Sequence, residues 1–193
     1  MLKVSDFFNE LRLRRDSQIA DFGCGVGENS KILSELVPDG KIFSIDVHKD
    51  LLEHLETDIL REKKKQEKAN LENTEGHIVD KILYQNIVPV WGDVEELEGT
   101  RLRDDSVDII LISNVFFMLQ HKKVCIMEMK RVLKKYGKIL FIDWHKHLGN
   151  SVLHKATILD EKNIERMFTE FGFSVHPMIH KDNNHFVLLI EKR

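Results

Sequence analysis

Asp21-Phe22-Gly23-Cys24-Gly25-Val26-Gly27 is the stretch on which the fold of this 193-residue chain turns. It sets three glycines where a short apolar strand, Gln18–Phe22, gives way to a helix opening near Glu28. Backbone bare of side chains at such a turn lets a ligand come close to the main chain. The spacing narrows the ligand. A dinucleotide fingerprint places its third glycine one position later, where this chain has Glu28. Asp21, just ahead of the first glycine, would repel a phosphate and suits a ligand that carries an ammonium group.

Working outward, residues 41–46 read as a second strand ending in Asp46, a position from which a carboxylate accepts both hydroxyls of a ribose. A third strand, Ile87–Trp91, runs into Gly92, Asp93 and Val94. Residues 106–114 form an apolar strand with a polar end at Ser113 and Asn114, followed by Val115, Phe116, Phe117, Met118 and Leu119. Helices are expected over 4–13, 29–36, 50–69, 122–135 and 161–171, and a fifth strand over 139–144. This alternation predicts a parallel sheet covered on both faces. Residues 174–180 and 186–191 read as a hairpin across 181–184, which adds one antiparallel strand.

The glycine turn and the acids at successive strand ends together resemble class I S-adenosylmethionine-dependent methyltransferases, nearest the type 11 and ubiquinone-menaquinone biosynthesis branch. The resemblance runs from about residue 18 to the C-terminus; it includes residues 129–138, where Tyr136-Gly137 replaces the branch's usual Pro-Gly turn. It implies a Rossmann-like three-layer α/β/α sandwich of seven strands in the order 3-2-1-4-5-7-6, strand 7 antiparallel, with residues 1–193 as a single domain. The implied cofactor is S-adenosylmethionine. Carried over position by position, Gly23, Cys24, Gly25 and Gly27 would line its methionine and ribose parts and Asp21 would lie near its ammonium group. Asp46 would grip the ribose, Val47 and His48 would flank the adenine, and Gly92, Asp93 and Val94 would meet the adenine edge. Asn114 and Val115 would sit beside the sulfonium.

The acceptor side is less legible. Ser113-Asn114-Val115-Phe116 lacks the Asn-Pro-Pro-Tyr type signature of adenine and glutamine methylation. Arsenic methylation calls for several thiols, and the chain has two cysteines, Cys24 and Cys125. No catalytic base stands out; His121 and His145, each just past a strand end on the cofactor side, are the better candidates. The remaining histidines show no metal-motif spacing, and no metal is expected. Trp144, Phe116 and Phe117 could wall an apolar or aromatic acceptor.

Composition bounds the rest. With 42% apolar residues the chain can bury one core around a central sheet, and a net charge of -3 gives no general attraction to nucleic acid or anionic membranes. Two cysteines make no disulfide framework, and with no signal peptide or spanning run the expectation is a cytoplasmic protein. A charged insertion at about 61–83 reads as a solvated helix and loop. Roughly seventeen residues precede the first strand, enough for one helix carrying Phe7, Phe8, Leu11 and Leu13. The acceptor site is then open to a bulky acceptor, a protein partner or a second copy of the chain. The reading is a methyltransferase acting on a small-molecule acceptor. Its rivals are a non-catalytic S-adenosylmethionine-binding regulatory or scaffold subunit and a nicotinamide-dependent oxidoreductase, the latter disfavoured by Glu28 and Asp93.

Overall fold

The computed structural model describes residues 4–72, 83–144, 160–177 and 185–193. A 3-10 turn, Val4–Phe7, continues into the single turn of α1 (Phe8–Leu11), and β1 (Gln18–Phe22), α2 (Glu28–Leu36) and β2 (Lys41–Asp46) follow. Next come α3 (Lys49–Glu72), β3 (Ile87–Trp91), β4 (Val107–Ser113), a second 3-10 turn (Phe116–Met118), α4 (Lys122–Val132) and β5 (Leu133–Trp144). The chain closes with α5 (Glu161–Glu170), β6 (Phe173–Pro177) and β7 (His185–Lys192).

All seven strands join one sheet in the order β3-β2-β1-β4-β5-β7-β6. β1 pairs in parallel with both β2 and β4, and β7 runs antiparallel to β5 and β6. Strand alternation sends Ile19, Ile42, Ile109, Leu111 and Leu140 to one face, where Phe7 of the first 3-10 turn, Leu11 of α1, Leu33 and the capping Val37 of α2, and Leu55 of α3 cover them. Ala20, Phe22, Ile110, Ile112 and Phe141 take the other, beneath Cys125, Ile126, Met129, Ile164 and Phe168 of α4 and α5. The result is the expected three-layer sandwich. β1 has its successor β2 on one side and β4 on the other, so the chain reverses its order there, and a crevice opens beyond the carboxyl ends of these two strands.

Several expected boundaries move. The helix read over 122–135 ends at Val132, and residues 133–138 belong to β5. Good helix formers there give way to sheet pairing: Val107 lies opposite Leu133 but Ile109 opposite Lys138, so the extra residues bulge out with Tyr136 left-handed at φ 63°. Gly137 keeps its place for another reason, since a Cβ on it would stand 2.7 Å from Leu133 Cγ. The N-terminal helix shortens to the 3-10 turn and α1, stopped by left-handed Arg12. The charged insertion continues α3 as far as Glu72, with an ion pair between Lys65 and Glu62. Residues 73–82 and the expected hairpin turn 181–184 lie outside the described residues.

Candidate cofactor site

The three glycines of the opening stretch are all left-handed, at φ 73°, 56° and 78°, yet for different reasons. A Cβ on Gly23 would stand 2.5 Å from Val115 Cγ2, and one on Gly27 2.5 Å from Leu55 Cδ1, so Val115 or Leu55 would have to move aside to admit either. A Cβ on Gly25 would meet nothing within 4 Å. The middle glycine is therefore not required by the protein's own contacts, and it faces a cavity.

That cavity, of 480 Å³, occupies the crevice beyond β1 and β4. Its walls include Gly23, Gly25, Asp46, Val47, His48, Gly92, Asp93, Val94, Asn114 and Val115. The sequence thus brings ten of its expected cofactor residues to one place from four strand ends. Asp46 organises the loop facing it: one carboxylate oxygen accepts the Gly25 N–H and the other the His48 N–H, both at 2.9 Å. Gly23 and Cys24 donate their N–H groups to the Ile45 carbonyl, fixing the turn to β2. Asp93 accepts the Glu95 N–H at 2.7 Å. Asn114, left-handed at φ 58°, holds a buried Oδ1 that has no hydrogen-bond partner. An orphaned acceptor of this kind costs free energy unless a donor reaches it.

Asp21, Cys24 and Gly27 stand behind the wall. Asp21 is buried and accepts the Ser30 hydroxyl at 2.6 Å, and Ser30 accepts that of Ser44 at 2.7 Å. Burial pushes the Asp21 carboxyl up to about 6 against the Ser30 hydrogen bond, with the Asp46 charge adding to the rise. Burial likewise pushes the Cys24 and Cys125 thiols upward, so neither is a ready thiolate at neutral pH.

The acceptor side differs from expectation. Phe116 is buried in the core, 5.2 Å from the Phe141 ring and 5.9 Å from that of Phe168, rather than facing the cavity. Phe117 and Trp144 are half-buried outside the cavity wall, the Trp144 ring lying 4.1 Å from that of His185. Their place is taken by Leu51, Glu95, Met118 and Leu119, which the sequence reading did not single out. The apolar run after β4 carried the signal, but a 3-10 turn repeats every three residues, so alternation does not tell which side chains face inward. His121 is exposed at the start of α4, its backbone N–H donated to Glu95. His145 lies outside the described residues.

Among the residues lining the cavity, Asp46, Asp93 and Glu95 supply carboxylates and no lysine or arginine balances them. Such a wall favours a cationic ligand and opposes a pyrophosphate. A larger cleft, of 910 Å³, opens at the other end of the sheet, but much of its charge is spent internally. There Arg14 and Lys134 pair with Asp108, and Lys138 with Glu191.

A sheet of this order with an acid-lined cavity at its switch point has the Rossmann-like architecture of S-adenosylmethionine-dependent methyltransferases. The chain belongs to the methyltransferase-domain family of type 11, whose model matches residues 20–141. It is 26% identical over 134 residues to arsenite methyltransferase of Mus musculus, a match covering 68% of this chain and 31% of that protein. The chain thus aligns with about a third of that relative's length. Among solved structures it resembles a SAM-dependent methyltransferase from Aquifex aeolicus, with a TM-score of 0.73 at 19% identity, over 98% of this chain and 89% of the other. It also resembles a protein described as a type 11 methyltransferase from Sulfolobus solfataricus, with a TM-score of 0.65 at 25% identity, over 100% and 94% of the two chains.

The cofactor of this family is S-adenosylmethionine. The residues present fit it: a carboxylate-lined cavity for a sulfonium and an ammonium, an unpaired Asn114 oxygen for a donor, and open space over Gly25 for a close approach. No helix among the described residues is long and apolar enough to cross a membrane.

A test separates the roles of the glycines. Gly25→Ala adds a methyl over the cavity at a left-handed residue, which costs about 1–2 kcal/mol of backbone strain. It is expected to fold and to lose S-adenosylhomocysteine binding by calorimetry, whereas Gly27→Ala, behind the wall, should fall mainly in melting temperature. Undiminished binding by Gly25→Ala would show that the open space is not the ligand's.

Proposed function

We propose that this chain transfers a methyl group from S-adenosylmethionine to a small, largely apolar acceptor, and that residues 1–193 act as one methyltransferase domain. The observation that carries the reading is the space over Gly25, held open by a left-handed glycine that no protein contact demands. In this reading Asp46 accepts the ribose hydroxyls with the lone pairs its two backbone bonds leave free. Val47 and His48 flank the adenine, Asp93 and the Val94 backbone meet its edge, and Asn114 Oδ1 accepts from the ammonium group. The bound cofactor supplies an electrophilic methyl on its sulfonium. The chain's own work is to align the acceptor for in-line attack and to exclude water.

Leu51, Val115, Met118 and Leu119 give the acceptor an apolar wall, and the carboxylates favour an acceptor that is neutral or cationic over an anionic one. The mouse relative is named for arsenite, a soft metalloid that thiolates bind well. In this chain Cys125 is buried and Cys24 stands behind the wall, and the described residues include no group of three or more His, Cys, Asp or Glu side chains that could hold a metal. These features favour an organic acceptor.

Calorimetric titration with S-adenosylmethionine and S-adenosylhomocysteine, with NADH as control, tests the cofactor half of the reading. Binding of the first two and not of NADH is expected; binding of NADH alone would overturn it. A screen of neutral and cationic apolar acceptors, read as S-adenosylhomocysteine release, tests the other half. Well-bound cofactor with no turnover in any screen would favour a regulatory or scaffold subunit.

A further inference from the structure

The turn Phe116–Met118 presents Met118, with Leu119 beside it, to the cavity, and it is held in an unusual way. A three-residue 3-10 turn satisfies few of its own backbone groups and leaves N–H donors at its start and carbonyls at its end. Here side chains with full charges take them. The Phe117 N–H donates to Asp143 Oδ2 at 3.0 Å, while the Lys122 ammonium donates to the Phe117 carbonyl at 3.4 Å and to the Leu119 carbonyl. Phe116 anchors the turn from below, in the aromatic cluster with Phe141 and Phe168.

Neither charged group sits comfortably. Asp143 is 3% exposed at the end of β5, its other oxygen accepting its neighbour Trp144's N–H at 2.8 Å. Burial raises its carboxyl from 3.8 to about 6, against the Trp144 and Phe117 hydrogen bonds and the charges of His185 on β7 and Lys122 on α4. Burial pushes the Lys122 ammonium down, opposed by Glu95 and Asp143. A buried carboxylate is expensive unless paired; Asp143 divides its oxygens between the Phe117 and Trp144 N–H groups, and the half-buried Lys122 spends its ammonium on two carbonyls at the turn.

We propose that Asp143 and Lys122 are positioning residues for the wall of the cavity, gripping the backbone of the Phe116–Met118 turn so that Met118 and Leu119 keep their places against the bound cofactor and acceptor, and that acid releases the grip. This rests on reading the cavity as the cofactor and acceptor site. Protonated Asp143 loses the charge that strengthens its bond from Phe117. Asp143's own contribution to global stability moves the other way. The folded carboxyl binds its proton more readily than the unfolded one, so between about pH 4 and 6 the native state holds the extra proton, and this group's contribution to stability rises as pH falls. The grip should therefore loosen without melting of the fold. Asp21, also raised to about 6, titrates in the same range, so a variant is needed to isolate Asp143.

The experiment combines amide NMR with calorimetry on the full chain. In the wild type the Phe117 amide proton is expected to titrate near pH 6, and in Asp143→Asn that titration should vanish while other amides in the sheet keep their shifts. S-adenosylhomocysteine should bind Asp143→Asn and Lys122→Met roughly tenfold more weakly at about pH 8, with Lys122→Arg partly restoring affinity. The wild-type affinity should lose its Asp143-dependent component as pH falls toward about 5. Wild-type affinity in both Asp143→Asn and Lys122→Met, or a Phe117 amide that does not titrate, would overturn the grip while leaving the cofactor reading intact. Failure of the wild type to bind at any pH would overturn the cofactor reading and the proposal with it. If Asp143→Asn does not fold, the wild type decides alone: affinity that follows the Phe117 shift supports the grip, and affinity independent of it refutes it.

Discussion

Asp46→Ala should lose S-adenosylmethionine binding almost completely while keeping the fold. The carboxylate ends β2 at the lip of the cavity and already accepts the Gly25 and His48 N–H groups. Its removal breaks the bond that shapes the glycine loop and, on the proposed reading, takes away both ribose acceptors. Hydrogen bonds to a charged group are worth about 1.5–3 kcal/mol each, so a loss of roughly a hundredfold or more is expected. Asp46→Asn should fall between the two, since an amide retains one acceptor oxygen. Calorimetry measures both, and circular dichroism melting checks that the sheet survives. An alanine variant that binds within a few-fold of the wild type would remove Asp46 from the site.

The second large effect lies away from the cavity. Glu128 is fully buried on α4 and accepts the Glu98 N–H at 2.9 Å, the Thr100 N–H at 3.3 Å and the Thr100 hydroxyl. Arg131, one turn on, closes the group with hydrogen bonds of 2.8 and 2.7 Å to the two Glu128 oxygens. Glu128→Ala leaves three donors without their acceptor and takes one of two carboxylates from Arg131, which keeps its bonds to Asp104 and the Leu102 carbonyl; removing the buried partner of such a pair costs about 3–5 kcal/mol. For a domain of this size that is a fall in melting temperature of roughly 10 °C. Burial raises the Glu128 carboxyl, but the Arg131 and Thr100 hydrogen bonds outweigh it and bring it below 4.5. Its contribution is therefore present at neutral pH and lost as pH falls through the folded value, so wild type and variant should converge in acid. The loop held this way, residues 93–100, also supplies Asp93 and Glu95 to the cavity, and its loosening should weaken cofactor binding as a secondary effect.

The cofactor half of the site was legible because strand ends are fixed by the sheet. Once β1, β2, β3 and β4 are placed, Gly25, Asp46, Asp93 and Asn114 must converge at the switch point, whatever the loops between them do. Asn114's orphaned oxygen and left-handed backbone were not legible, since nothing local demands either. The acceptor half depends on contacts between residues far apart in sequence, such as Phe117 with Asp143 and Glu95 with His121. Local pattern misplaced Phe116 because five apolar residues in a row carry no inside-outside alternation. The start of β5 was misread because Lys134, Lys135 and their neighbours suit a helix, and pairing with β4 overrides that preference. Asp21 is an intermediate case. Its position was read, but its burial behind the glycine turn, bonded to Ser30, was not.

The bond from Gly25 to Asp46 also bears on how fast a ligand arrives. The loop is tied to β2 by the protein's own hydrogen bond, across 21 positions of sequence. A loop already ordered has little conformational entropy left to lose when it closes on a guest, and no slow rearrangement need follow the encounter. Stopped-flow association should accordingly be a single phase whose rate rises linearly with ligand concentration.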